Sequence, residues 1–438
     1  MRTATLARGG LWLPGVVGAA LVLGVAIPRI PPMAVAVVPL GALVAWLGIE
    51  SLIVLAWLGA FGLLPFVDPK LALPGGLPLW LVAFAVACAL MLGAWAAREV
   101  GGGRNLRMEP SALLVGTVAL LGYSLARLVT GAPFAVPSLS LPFLTFPVSA
   151  LVAFLWLSQP QALTGLRRTW PLVVVLLLAW CAMYVLGSAG GCGVCQHYVG
   201  SGLQSSNVLG GTTRLFTDGQ NALLALLLVG VGLLLRRPTL LVGAFVAIGL
   251  LALGLQASRA QYGGILAGFV LLLAWRLRWS SPAARAAIVG LAVLALVALI
   301  SSPVGARGLS AVSELQSNSG NGGYRLGLVA EQRQHYSLWG DAVDSSSLNG
   351  QINYDLGIPN TVVVLGWVGA GLQLLIVALA ALRGLGARSL AGATIAAVAL
   401  LLLVTRFSLP LLEGYSSAPA FGILLGFALA LPGRRSTA

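Results

Sequence analysis

PVGARGLSAVSELQSNSGNGGYRLGLVAEQRQHYSLWGDAVDSSSLNGQINYDLG, residues 303–357, is the one long polar stretch in a chain of 438 residues. It holds five of the eleven acidic residues, one of the two histidines (His335), and the arginines Arg325 and Arg333. The sequence on both sides is almost continuously apolar. The stretch therefore reads as a loop on one side of a bilayer, where the polarity of the chain, and with it any chemistry, is concentrated.

Hydrophobic residues make up 59% of the chain and charged residues only 8%, which excludes a soluble globular protein. The apolar runs are continuous rather than alternating, so they predict helices and not a β-barrel. About fourteen spans are expected, near 11–27, 33–49, 51–67, 78–97, 111–131, 142–158, 170–188, 219–235, 239–257, 260–275, 285–301, 359–382, 389–405 and 416–432. The predicted fold is all-α: a polytopic helical membrane protein of about 12–14 transmembrane helices. Residues 1–302 carry about eleven helices, 303–357 form the external loop with short helices of its own, and 358–438 carry three more. Trp12, Trp80, Trp156, Trp170 and Trp279 lie near span ends, where an indole favours the interface. Dense glycine within the spans permits close helix packing, and no pair of matching broken helices is apparent in the two halves.

With a cytoplasmic N-terminus, alternate short connections collect sixteen of the 25 basic residues, including Arg98, Arg167, Arg168, Arg236, Arg237, Arg276, Arg278, Arg383 and Arg388. That is the positive-inside pattern, and it makes both termini cytoplasmic. Met1-Arg2 before an apolar run resembles a signal peptide, but removing the first span would invert this pattern, so the span is read as retained. The net charge of +14 is then topological, and no basic stripe with interleaved aromatics points to nucleic acid. The polar loop and the connections 190–218 and 406–415 fall outside, and with Asp68 that side carries eight of the eleven acidic residues. Cys88 and Cys181 sit in apolar spans as packing residues. Cys192 and Cys195, in an external CGVC, are expected to form a disulfide staple, over a metal or redox role or free thiols.

Three external segments carry charge at the edge of apolar helices: Arg214 to Asn221, Ser258-Arg259 with Gln261, and the loop from Arg325 through Glu331, Arg333 and His335 to Asp355 and Asn360. An arginine at a membrane boundary is commonly a snorkelling residue. Arg259 has almost no loop to carry it into water, and Arg127 and Arg406 lie within or at the end of spans. A charge so placed costs about 2.5–3.5 kcal/mol on insertion scales, so it normally faces a cavity and has a partner. Several guanidinium groups converging on one external cavity suit an anion with many oxygens, because each can bind phosphate with two parallel hydrogen bonds. No nucleotide-binding motif and no close pair of aspartates for a divalent metal is present. An external phosphorylated substrate beside membrane helices is most naturally lipid-linked.

These segments are similar, in order, to motifs of the O-antigen ligase and polymerase family of bacterial membrane proteins. Ser258-Arg259 resembles its SR element, and Arg214 with Gly219-Gln220-Asn221 its preceding R…N segment. Arg325 ahead of Tyr336-Ser337-Leu338-Trp339-Gly340 resembles its arginine before a short turn, and Pro359-Asn360-Thr361 with Gly366 and Gly369 its H-N stretch. The likeness covers about residues 205–375.

It implies a GT-C-like, metal-independent, inverting glycosyltransferase of the bacterial inner membrane that uses no cofactor. Such an enzyme moves a glycan from undecaprenyl diphosphate to an acceptor lipid or saccharide on the external face. By this resemblance Arg214, Arg259 and Arg325 would bind the diphosphate, and Asn221, Ser258, Arg333 and Asn360 would contact other parts of the substrates. The family places its histidine directly before the Asn; here that position is Pro359. His335 is then the nearest candidate base, with Asp355 and Glu331 as carboxylate alternatives. A flippase or transporter for a lipid-linked saccharide, and a scaffold whose loop docks a partner, are the competing readings.

Overall fold

The computed structural model describes residues 48–65, 67, 78–102, 111–130, 137–189, 192–199, 202–207, 213–216, 219–256, 259–278, 281–283, 286, 327, 329–330, 332–340, 357–406 and 417–431. Its helices are α1 (Ile49–Ala60), α2 (Leu79–Gly102), α3 (Ala112–Thr130), α4 (Pro137–Leu157), α5 (Pro160–Ser188), α6 (Gly193–Val199), α7 (Gln220–Arg236), α8 (Leu240–Gln256), α9 (Arg259–Arg278), α10 (Ile358–Gly386), α11 (Leu390–Thr405) and α12 (Ser417–Ala430). Eleven of the expected spans fall on these helices. The spans near 11–27, 33–49 and 285–301 lie wholly or almost wholly outside the described residues. One departure from an all-helical fold is a short antiparallel hairpin, β1 (Gly202–Asn207) with β2 (Thr213–Phe216).

Among the described residues, three helical stretches are long and apolar enough to cross a membrane: Leu79–Glu99, Gln161–Ser188 and Ile358–Gly386. Shorter apolar helices pack among them, and Val115, Val118, Leu186, Leu251, Leu266 and Val270 stand exposed on the outside of the bundle. Apolar surface of this extent belongs against lipid or a partner rather than water. The fold is compatible with a multi-pass membrane protein.

Successive helices run up and down, which gives the bundle two ends. At one, Arg98 pairs with Glu50 at 2.7 Å and donates to Gln159 Oε1, while the Gln159 amide returns a bond to the Trp95 carbonyl. At the same end Arg383 donates to the carbonyls of Leu429 and Leu431. Helix order places Arg167, Arg168, Arg236, Arg237, Arg276, Arg278 and Arg388 there too, making this the basic end. The opposite end carries α6, the hairpin, residues 332–340 and the first turns of α7, α9 and α10. We call it the loop end.

The centre is α11, apolar all round and mostly buried, packed against α7, α9, α10 and α12. Small residues let neighbours approach. Gly268 of α9 sits against Leu228 and the Ala397 carbonyl, and Gly426 of α12 against Ala153 of α4. Cys88 and Cys181 are buried packing residues, as expected. Trp156 is not an interface residue: its side chain is 2% exposed and belongs to the core.

Helix α10 is broken. Gly366 has φ 70° and ψ 179°, a conformation essentially restricted to glycine. The backbone of residues 337–340 lies alongside the break, and the amides of Trp367 and Val368 donate to the carbonyls of Ser337 (3.1 Å) and Leu338 (3.2 Å). Gly340, at φ 87°, meets Gly366 so closely that a Cβ on it would stand 2.5 Å from the Val364 carbonyl oxygen. Helix α3 completes the arrangement: the Tyr123 hydroxyl lies 2.7 Å from the Leu365 carbonyl oxygen and 3.0 Å from that of Trp339, and Arg127 donates to Gly340 O at 2.7 Å. Replacing Gly366 or Gly340 by Ala forces strained backbone worth about 1–3 kcal/mol, plus a steric overlap. Each variant is expected to melt well below the wild type in detergent, whereas Gly371→Ala, with open space around it, leaves the melting temperature unchanged.

Candidate functional site

Two of the charged segments meet through a pair of amides. Asn221 stands in the first turn of α7 and Gln261 in the first turn of α9, and Gln261 Nε2 donates to Asn221 Oδ1 at 3.1 Å. Gln261 is fully buried, and its own Oε1 has no hydrogen-bond partner among the described residues. Arg214 precedes this contact on β2, where its backbone pairs with Gln204, and Arg259 is the first residue of α9. Both arginines are thus brought to the loop end through their backbones. Helices α7, α9 and α10 all begin here, so their free amide groups add positive potential.

Asn360 and Thr361, in the first turn of α10, are buried. Asn360 Oδ1 accepts from Gln332 Nε2 at 3.0 Å, which ties the 332–340 segment to the start of the helix. The Ile358 amide donates to the Arg406 carbonyl at 3.0 Å, joining the end of α11. Arg406 is 0% exposed; its Nη2 donates to Thr361 Oγ1 at 3.0 Å and also to Gln373 Oε1. Residues 361 and 373 would be about 18 Å apart along a straight helix. One guanidinium nitrogen reaches both because the break at Gly366 folds the two halves of α10 around it. Arg406 and Arg127, singled out in the sequence as costly charges, therefore both have hydrogen-bond partners at the broken helix.

Arg333 and His335 share a single 3-10 turn, Arg333–His335, with Arg333 exposed and His335 half-buried. His335 Nε2 lies 3.2 Å from Gln334 Nε2. Tyr336 meets Trp367 edge to face at 5.9 Å. Burial pushes its phenol pKa up, and the nearby Arg333 charge offsets part of that. The phenol stays neutral near pH 7 and can donate a hydrogen bond, but it is not a base.

Of the expected site residues, Asn221, Arg333, His335 and Asn360 are placed with their side chains, and Arg214 and Arg259 by backbone. Ser258, Arg325, Glu331 and Asp355 lie outside the described residues. Tyr123 and Gln373 were not singled out from the sequence, and Gln261 and Thr361 entered only as members of longer segments, with no role of their own. For Tyr123 a signal existed: it stands four residues before Arg127, on the same face of an apolar helix. Cys192 and Cys195 form a disulfide at the start of α6. Among the described residues no three His, Cys, Asp or Glu side chains gather as metal ligands. In comparisons with known proteins the chain matches no family model, no curated sequence and no solved structure.

Removing the amide contact leaves a buried polar group unpaired, at a cost of about 1–3 kcal/mol. Gln261→Leu is expected to lower the melting temperature, and the double variant with Asn221→Leu to recover part of the loss. A fully additive loss in that double-mutant cycle would show that the two amides do not interact.

Proposed function

We propose that the protein is a membrane glycosyltransferase of the O-antigen ligase and polymerase type, GT-C-like in architecture. It transfers a glycan from an undecaprenyl-diphosphate donor to a lipid or saccharide acceptor. The observation that carries this reading is the Asn221–Gln261 hydrogen bond. It joins the segment behind Arg214 to the segment behind Arg259 at the end of the bundle that also holds His335 and Asn360. Arg214, Arg259 and Arg325 grip the diphosphate; Asn221, Ser258, Arg333 and Asn360 line the surrounding subsites.

The loop end is external. Its Cys192–Cys195 disulfide fits an oxidising compartment, and arginine concentrates at the other end, as cytoplasmic connections require. Both termini are cytoplasmic, residues 303–357 belong to the external side, and the membrane is a bacterial inner membrane.

The chemistry follows from charge. Diphosphate leaves as an anion when the C1–O bond breaks, and preorganised guanidinium groups in a water-poor site stabilise that charge. The acceptor hydroxyl attacks C1 from the opposite face, inverting the centre, and gives its proton to a base. His335 is the first candidate, a half-buried imidazole on the turn at the loop end; Asp355 and Glu331 are the carboxylate alternatives. A base so placed contributes about 10²–10⁴-fold.

One feature favours a second reading. Broken membrane helices recur at the binding sites of transporters, and α10 is broken at Gly366. A flippase for lipid-linked saccharides would move its substrate across the bilayer without forming a bond.

Purified protein in detergent, given a lipid-linked glycan and an acceptor with no added metal, is expected to yield a new covalent glycoside, and Arg259→Ala to lose at least about 100-fold in rate. Movement between leaflets without a new bond would establish transport instead. Orientation has its own test. After mild reduction, a membrane-impermeant maleimide is expected to label Cys192 and Cys195 in intact spheroplasts; labelling only after lysis would reverse the topology.

A further inference from the structure

We propose that Tyr123 and Arg127 of α3 are positioning residues for the proposed transfer reaction: they lock the 337–340 segment into the break of α10 and so fix where the His335 turn stands above Asn360. This inference rests on the glycosyltransferase reading for its catalytic consequence, though not for its structural one.

Breaking α10 at Gly366 interrupts its internal ladder on both sides. The amides of Trp367 and Val368 find the Ser337 and Leu338 carbonyls, leaving the carbonyls around the junction to be satisfied from outside the helix. Only α3 does that among the described residues. The Tyr123 hydroxyl stands between the Leu365 and Trp339 carbonyls, one on each strand of the junction, and thus clips the two together. Arg127 Nη2 then takes the Gly340 carbonyl at 2.7 Å, at the last residue of the docked segment. A charged donor in apolar surroundings makes a strong hydrogen bond, and a permanently charged guanidinium is an expensive group to station on an apolar helix for packing alone.

The other end of the segment is tied separately. Gln332 is bonded to Asn360 at the start of α10, and Tyr336 stacks edge to face on Trp367 just after the break. The 3-10 turn with Arg333 and His335 is therefore suspended between two anchors. One is the Gln332–Asn360 amide pair; the other is the α3 clip. With both in place the imidazole cannot shift along α10, and misplacing a reacting group by about 1 Å can cost on the order of 100-fold in rate. Both residues of the clip act on backbone carbonyls of the junction.

The test uses the full chain in detergent with three variants: Arg127→Ala, Arg127→Lys and Tyr123→Phe. Hydrogen–deuterium exchange is followed in the peptides spanning 336–340 and 365–369. Losing one charge-assisted bond is expected to speed exchange there about 10- to 100-fold, with peptides at the basic end unchanged. Arg127→Lys, which keeps a cationic donor, restores most of the protection. In the transfer assay, Arg127→Ala is expected to lower kcat by about tenfold or more while the KM for the lipid-linked donor holds within about twofold, the pattern of a misplaced catalytic group and not of lost binding. Unchanged exchange in Arg127→Ala overturns the clip. Faster exchange with full transfer overturns its catalytic role. If the wild type transfers nothing, the glycosyltransferase reading fails, and the exchange data still decide whether α3 holds the segment.

Discussion

Inside an apolar bundle no solvent is at hand to accept or donate a hydrogen bond, and the break in α10 exists only because protein groups replace that solvent. Gly366 interrupts the helix, Ser337 and Leu338 supply acceptors for its freed amides, and Tyr123 and Arg127 supply donors to carbonyls at the junction. Glycine is required on both sides, because Gly340 and Gly366 touch backbone to backbone. The polar segment is thus not an appendage on a finished helix. It is the missing half of the ladder of α10, and neither part is satisfied without the other.

Charge is used in two distinct ways. At the basic end the arginines crowd short connections, and the one ion pair described, Arg98 with Glu50, braces helix ends. The loop end uses guanidinium groups against neutral oxygen: Arg127 on a carbonyl, Arg406 on Thr361 and Gln373. Arg406 also links α11, the central helix, to both halves of α10. Its position carries the geometry of the bundle core directly to the residues beside the candidate site.

The helices were legible because about 20 apolar residues in a row admit few other structures. Arg127 and Arg406 were legible as well, since a charge within such a run demands an explanation. What escaped the sequence depended on side-chain direction or on distant partners. Gly366 looks like its neighbours Gly369 and Gly371, and only its backbone angles set it apart. The Gln261–Asn221 contact spans 40 residues, and although both segments were singled out, nothing in the sequence says that these two amides meet. Trp156 sits near a helix end, as an interface tryptophan would, but it faces inward, which proximity to an end does not reveal. The β1–β2 hairpin escaped because its strands, GLQSSN and TRLF, are short and lack the alternation that marks a half-buried strand.

Helix α11 has a consequence for biogenesis. It occupies residues 390–405 of 438, yet it is the element on which α7, α9, α10 and α12 converge. The pillar of the assembly leaves the ribosome after three of the four helices that pack on it. Earlier helices must wait with their inward faces uncovered, and truncation before residue 390 removes the middle of the molecule rather than its edge.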